Sequence, residues 1–116
     1  MKVNVLGVDY EVSIKERKDD EALQGLDGYC DSSSHECVID AMKDLGPHGK
    51  KKIGVYRDSV MRHELIHAFL DESGLSDSSE WAKNEEAVDW IAAQFPKMAK
   101  AMTEAGCLKV DARPAE

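Results

Sequence analysis

Val60-Met61-Arg62-His63-Glu64-Leu65-Ile66-His67-Ala68-Phe69-Leu70 is the stretch on which the fold turns. Tyr56, Val60, His63, His67 and Leu70 follow one another at spacings of four, three, four and three, which is one face of an α-helix that Gly74 ends. The start lies between Lys52 and Ser59. Ile53, Gly54 and Val55 are poor helix formers and Asp58 or Ser59 offers an N-cap, while Tyr56, already in phase, favours the earlier start. His63 and His67 stand one turn apart on a common face, so both imidazoles can reach a single Zn²⁺, and Glu64 is placed to hold a water as general base. Val60, Met61, Leu65, Ile66, Ala68 and Phe69 around them predict a largely buried helix. Buried imidazoles need partners for their ring nitrogens, and one metal ion serves both.

Downstream, Ser76-Asp77-Ser78-Ser79-Glu80 is a turn and capping cluster, with Asp77 and Glu80 at capping-box separation. It predicts a second helix from about Glu80 with Trp81, Val88, Ile91, Ala92 and Phe95 facing the core. Pro96 either kinks that helix or opens a third one ending at Gly106. Trp81 and Trp90 read as core anchors, and the methionines, Met98 and Met102 among them, as core filling. The same segment carries Asn84-Glu85-Glu86-Ala87-Val88-Asp89. Glu85 and Asp89 are a like-charge pair four apart, which is unfavourable on a helix unless compensated. A cation held by Glu85 and an imidazole N–H received by Asp89 would compensate it; an acidic, solvated helix face is the simpler alternative. Stepping back three from Val88 reaches Glu85, so Glu85 rather than Glu86 shares the inward stripe.

Upstream, Val8, Tyr10, Val12 and Ile14 alternate with Asp9, Glu11, Ser13 and Lys15, the period of a half-buried strand. Val3 and Val5 precede it, and Leu6-Gly7 makes the hairpin turn. Residues 16–24 read as a loop or a short helical turn. Asp27 to Cys30 and Glu36 to Asp40 flank the polar run Ser32-Ser33-Ser34-His35, a second hairpin. Ala41 to Lys51, with Gly46-Pro47-His48-Gly49, reads as an exposed loop.

The chain has 116 residues, 15 Lys+Arg against 23 Asp+Glu and a formal charge of −8, so one domain over 1–106 with a tail over 107–116 is expected. An acidic surface repels phosphate backbones and anionic headgroups, and no apolar run spans a bilayer. These features predict a cytoplasmic protein that binds neither nucleic acid nor membrane. Cys30, Cys37 and Cys107 form an odd set read as free thiols; a Cys30 to Cys37 bridge, or a small metal clip with His35, is the alternative that a hairpin would permit.

His63-Glu64-Leu65-Ile66-His67 followed by Asn84-Glu85 and Asp89 resembles the gluzincin class of zinc peptidases, and in particular the small single-domain gluzincin-like proteins of phages and prophages. Val60 to Leu75 and Trp81 to Lys97 carry the likeness. It implies a minimal zincin-like α+β fold: a small twisted, mainly antiparallel sheet packed on two or three C-terminal helices. It also implies His63, His67 and Glu85 as zinc ligands, Glu64 as base, and Asp89 behind the ligands. Gluzincins usually bring a His or Tyr from beyond the Glu ligand to the oxyanion, yet from Trp90 to Glu116 this chain has neither. That role would fall upstream, to Tyr56, which also reads as a phenol packed on the sheet, or to Tyr29, Tyr10, His48 or His35, or be absent. The expected activity is peptide-bond hydrolysis in a cleft between the motif helix and an edge strand, on a protein or peptide substrate such as a regulatory protein, with the enzyme in some settings latent. A zinc-stabilised interaction protein without turnover is the second reading, and a metal-free helical adaptor the third.

Overall fold

In the computed structural model, which describes residues 1–43 and 51–110, the N-terminal half is a four-stranded sheet and the C-terminal half is helical. The centre of the expected loop, 44–50 with His48, and the end of the tail, 111–116, lie outside the described residues. Strands β1 (Lys2–Val5) and β2 (Val8–Lys15) form the first hairpin. Leu6 and Gly7 both take positive φ, 50° and 93°, the pair of angles that a two-residue turn needs to match the twist of its strands. Alternation then sends Tyr10 and Val12 inward with Val5, while Ile14, at the strand end, is exposed.

Strands β3 (Gly28–Asp31) and β4 (Glu36–Asp40) form the second hairpin. The two hairpins join through β2 and β4, which run parallel, in the order β1-β2-β4-β3. The sheet is therefore mixed: its outer pairs are antiparallel, as expected, and its central pair is not. The crossover this requires is made by residues 16–27, with two 3₁₀ turns, Arg17–Asp19 and Glu21–Leu23, and Leu23 fully buried beneath them. Arg17 Nη2 ties the crossover down by donating to the buried Asp40 carboxylate at 2.7 Å and to the Leu26 carbonyl at 2.8 Å. β3 is left as an edge strand.

Helix α1 (Ile53–Glu72) starts early, as the phase of Tyr56 suggests, and Gly74, at φ 83°, follows its end. One side of α1 meets the sheet, where Met61, Leu65 and Ala68 pack with Val5, Tyr10, Val12 and Cys37. Another side meets the helices beyond, where Ile66 and Leu70 pack with Ala82 and Val88. A helix covered on two sides carries apolar residues around most of its circumference, which accounts for the run through Val60 to Leu70.

The expected second helix from Glu80 is not continuous. A short helix α2 (Leu75–Ser78) and a 3₁₀ turn (Glu80–Lys83) come first, because Ser79 and Asn84 are extended. Helix α3 (Glu85–Glu104) begins only where Asn84 caps it, its side-chain oxygen accepting from the Ala87 N–H at 2.9 Å. Pro96 does not open a third helix: α3 runs through it. Proline lacks the N–H that would bond the carbonyl four residues back, and that carbonyl, on Ala92, instead accepts from Arg62 Nε at 2.8 Å. Val88 and Ala92 are buried as expected, but Trp81, Trp90 and Phe95 are 50%, 60% and 53% exposed. The tryptophans are thus not core anchors, and Met98 and Met102, both exposed, are not core filling. No helix among the described residues is long and apolar enough to cross a membrane.

Candidate metal centre

The centre is assembled from two helices that run in opposite directions, α1 supplying His63 and His67 and the first turn of α3 supplying Glu85 and Asp89. The four-residue step on α1 brings the two Nε2 atoms to 3.1 Å of each other. Glu85 closes the set: its Oε2 lies 2.8 Å from His63 Nε2 and its Oε1 3.0 Å from His67 Nε2. Asp89 Oδ1 is 2.7 Å from the opposite ring nitrogen, Nδ1 of His63. The inward stripe of α3 therefore carries Glu85 and Asp89 together, and Glu86 is exposed outside the group. Position also favours Glu85, since a carboxylate at the first residue of a helix sits at the positive end of the helix dipole.

These contacts make a chemical demand. The 2.7 Å contact places Asp89 Oδ1 to receive a proton carried on His63 Nδ1. With the proton on Nδ1, Nε2 presents a lone pair to another imidazole nitrogen and a carboxylate oxygen, an arrangement that a proton on one Nε2 or a cation between the three atoms would satisfy. The residues fit a metal ion in that place. One donor atom from each of His63, His67 and Glu85 lies within 4.8 Å of the others. Two nitrogens about 2.0–2.1 Å from a tetrahedral zinc would be about 3.3–3.4 Å apart, close to the separation the helix already imposes. Asp89 would fix the His63 ring in the tautomer that presents Nε2. The Glu85 and Asp89 side chains are 65% and 72% exposed, so the group is open to solvent on the α3 side, while the His63 and His67 rings are mostly covered.

Glu64 is not in the ligand group. Its side chain is buried between α1 and the edge strand, where burial lifts its carboxyl above the ordinary range; His63 and His67 pull the other way, and Glu85 and Asp89 add to the rise. Gly28 is what admits it. A Cβ at that position would stand 3.0 Å from Val60 Cγ1, 3.1 Å from the Val38 carbonyl oxygen and 3.3 Å from Glu64 Cγ. Only a residue without a side chain lets β3 approach the helix this closely.

Two cavities flank this point and share Gly28, His63 and Glu64. The larger, about 390 Å³, is walled by Leu26, Tyr29, Cys30, His67 and Asp71. In the smaller, about 190 Å³, Tyr56 faces Asp27, Ser59 and Asp89. A cleft between the motif helix and an edge strand is thus present. Tyr56 donates its hydroxyl to Asp27, and that bond, then burial, then the charges of Asp27 and Asp89 push the phenol up to about 12. Of the other upstream candidates, Tyr10 donates to Glu72 at 2.6 Å near the end of α1, and Tyr29 to Asp20 at 2.7 Å. The His35 ring lies 5.3 Å from that of Tyr10, tilted by 49°, and does not join the centre.

Three participants escaped the sequence reading: Asp27, Gly28 and Arg62. Pattern alone places Asp27 and Gly28 only in the first strand of the second hairpin, and the glycine there serves a close approach to the helix. Cys30, Cys37 and Cys107 are free thiols, as expected, and among the described residues His35 makes no metal clip with them. No model of a known protein family, no curated protein and no solved structure matches this chain.

Proposed function

We propose that the protein is a zinc-dependent peptidase in which His63, His67 and Glu85 hold the metal and Glu64 is the general base. The observation that carries this reading is the convergence of two imidazole nitrogens and a carboxylate beside a separate, buried glutamate. Zinc held by these three residues would supply Lewis acidity for the scissile carbonyl and for a water at the site. Glu64 takes the proton of the attacking water and returns it to the leaving amine. Burial raises its carboxyl above the ordinary range, the direction that makes a carboxylate a stronger base for the first half of that task. Tyr56, held as a phenol at neutral pH, is an O–H donor on this side of the cleft that can turn from Asp27 toward an oxyanion. The edge of β3 offers unpaired backbone groups along the cleft, so an extended peptide can bind there by strand addition.

Zinc analysis of the purified protein and of the Glu64→Gln variant tests this. About one zinc per chain is expected in both, with hydrolysis of an unfolded protein substrate only in the parent. Loss of zinc from Glu64→Gln would make Glu64 a ligand and remove the base from the scheme. A structural zinc site without turnover, the second reading, has no use for a buried carboxylate next to an open metal face, and hydrolysis by the parent would exclude it.

A further inference from the structure

The β3–β4 hairpin that walls the cleft carries a feature the proposed chemistry does not use. Cys30 and Cys37 are directly opposed in its register. The pairing alternates along the hairpin between opposed residues that exchange backbone hydrogen bonds and opposed residues that do not. Asp40 N–H donates to the Asp27 carbonyl at 2.8 Å, which makes 27 and 40 a bonded pair. Counting inward, 28 and 39 are unbonded, 29 and 38 bonded, and Cys30 and Cys37 unbonded. In an unbonded pair the Cα atoms stand about 4.5 Å apart with their side chains on the same face and close together. Disulfides span Cα separations of about 4.4–6.8 Å, so this register admits one without moving the backbone.

We propose that Cys30 and Cys37 are a reversible disulfide site that closes by exchange with a small-molecule disulfide and fixes the wall of the cleft. The two thiols have different access. Cys37 is fully buried, with its Sγ 3.7 Å from the Glu64 carbonyl oxygen, whereas Cys30 lines the larger cavity beside His63, Glu64 and His67. Exchange therefore begins at Cys30. Its sulfur, as thiolate, attacks one sulfur of the incoming disulfide, forming a mixed disulfide and releasing the first small thiol, which takes up the proton Cys30 gave. Cys37 then attacks the Cys30 sulfur, the internal bond forms, and the second small thiol leaves with the Cys37 proton. The protein loses two hydrogens and the small disulfide gains them. The Cys37 hydrogen bond from Cys30, burial, and the Asp71 and Glu64 carboxylates hold the Cys30 thiol above the usual thiol range, which keeps little of it as thiolate and slows the first exchange. Once formed, the bond ties the edge strand to β4 and removes the S–H that Cys37 directs at the carbonyl of the proposed base. The inference needs no metal and no turnover.

The test uses the full chain with Cys107→Ser, which removes the exposed third thiol, equilibrated in mixtures of reduced and oxidised glutathione, acid-quenched and alkylated. As the oxidised share rises, mass spectrometry should show a species that has lost two hydrogens, accepts no alkyl group at Cys30 or Cys37, and returns to the dithiol on adding dithiothreitol. Its circular dichroism should match that of the reduced protein. Three results would each overturn the proposal: both thiols still alkylated in the most oxidising mixture, arrest at a glutathione adduct on Cys30, or a bond that forms only with loss of the folded spectrum. In a Cys30→Ser companion Cys37 should take up glutathione far more slowly than the parent oxidises; uptake at the parent rate would refute entry through Cys30.

Discussion

Gly28→Ala is the substitution that most directly interrogates how the edge strand meets the motif helix. The added Cβ would lie 3.1 Å from a backbone oxygen of β4, which cannot rotate away, and 3.0 Å and 3.3 Å from side-chain atoms of Val60 and Glu64. Relief requires the strand and helix to part by a few tenths of an ångström at the point where Glu64 is buried. Overpacking of this kind costs about 1–3 kcal/mol. Gly28 is not at positive φ, so alanine suits its backbone and recovers about 0.4–1 kcal/mol by restricting the unfolded chain. The two ranges leave a net loss of about 0–2.6 kcal/mol, with about 1 kcal/mol expected because a backbone oxygen is among the close contacts, and at a typical urea dependence that lowers the unfolding midpoint by about 0.5–1 M. Because the three atoms nearest the added Cβ belong to Val60, Val38 and Glu64 and none to a proposed ligand, zinc affinity measured by chelator competition should stay near the parent value while hydrolysis falls, since small misplacements of a catalytic group cost rate steeply. A variant as stable as the parent, within about 0.5 kcal/mol, would refute the close approach. Lost zinc affinity with unchanged stability would place the strain on the wrong side of the helix.

Glu85→Gln should weaken zinc binding sharply while Glu86→Gln leaves it near the parent value, and Asp89→Ala should weaken it by about 10–100-fold; chelator titration of the three variants decides. In the metal-free protein Glu64→Gln should raise the urea midpoint at pH 7, because a carboxyl lifted above its ordinary 4.5 withdraws stability as pH climbs from that value through the folded one. The gain should vanish below about pH 4, and a gain that persists there would mean it is not electrostatic. Tyr56→Phe should keep zinc and lower turnover by about 10²–10³, the usual loss for one oxyanion donor; unaltered turnover would leave Tyr56 as packing. Arg62→Ala strands the Ala92 carbonyl and should cost about 1–3 kcal/mol in urea unfolding. That cost should shrink in a Pro96→Ala background, where the helix supplies its own donor, and equal costs in both would dissolve the link.

Local pattern carried the reading where the cause was local. The Leu6-Gly7 turn, the alternation through Val8 to Val12 and the four-three spacing through His63 are each decided within a few residues, and all appear in the structure. Pairing β2 with β4 in parallel is a long-range choice, made possible by the buried Leu23 and the Arg17 to Asp40 contact, and no period in either strand announces it. The start of α3 was misplaced because Ser76 to Glu80 and Asn84 both look like caps, and backbone angles at Ser79 chose between them. Apolar periodicity named Trp81, Phe95, Met98 and Met102 as core because it marks a face without saying whether anything covers it. At the site, spacing was enough to bring His63, His67, Glu85 and Asp89 together, since each pair lies one turn apart on its own helix. Gly28 and Arg62 were invisible because their roles depend on another segment passing close by.

His67 and Glu85 belong to different helices, and the chain between them passes through Gly74, α2 and the 3₁₀ turn before α3 begins. A cation gripping both ends would act as a staple across that connector. By the loop-closure relation used for cross-links, a closed segment of about this length confines the unfolded chain by roughly 3 kcal/mol beyond the bonds themselves. Chelation would then be felt first in the connector and in the opening turn of α3, as faster amide exchange and easier proteolytic nicking there, while the sheet and its α1 contacts hold. The metal group would set how firmly the second helix is docked as well as what the cleft can do.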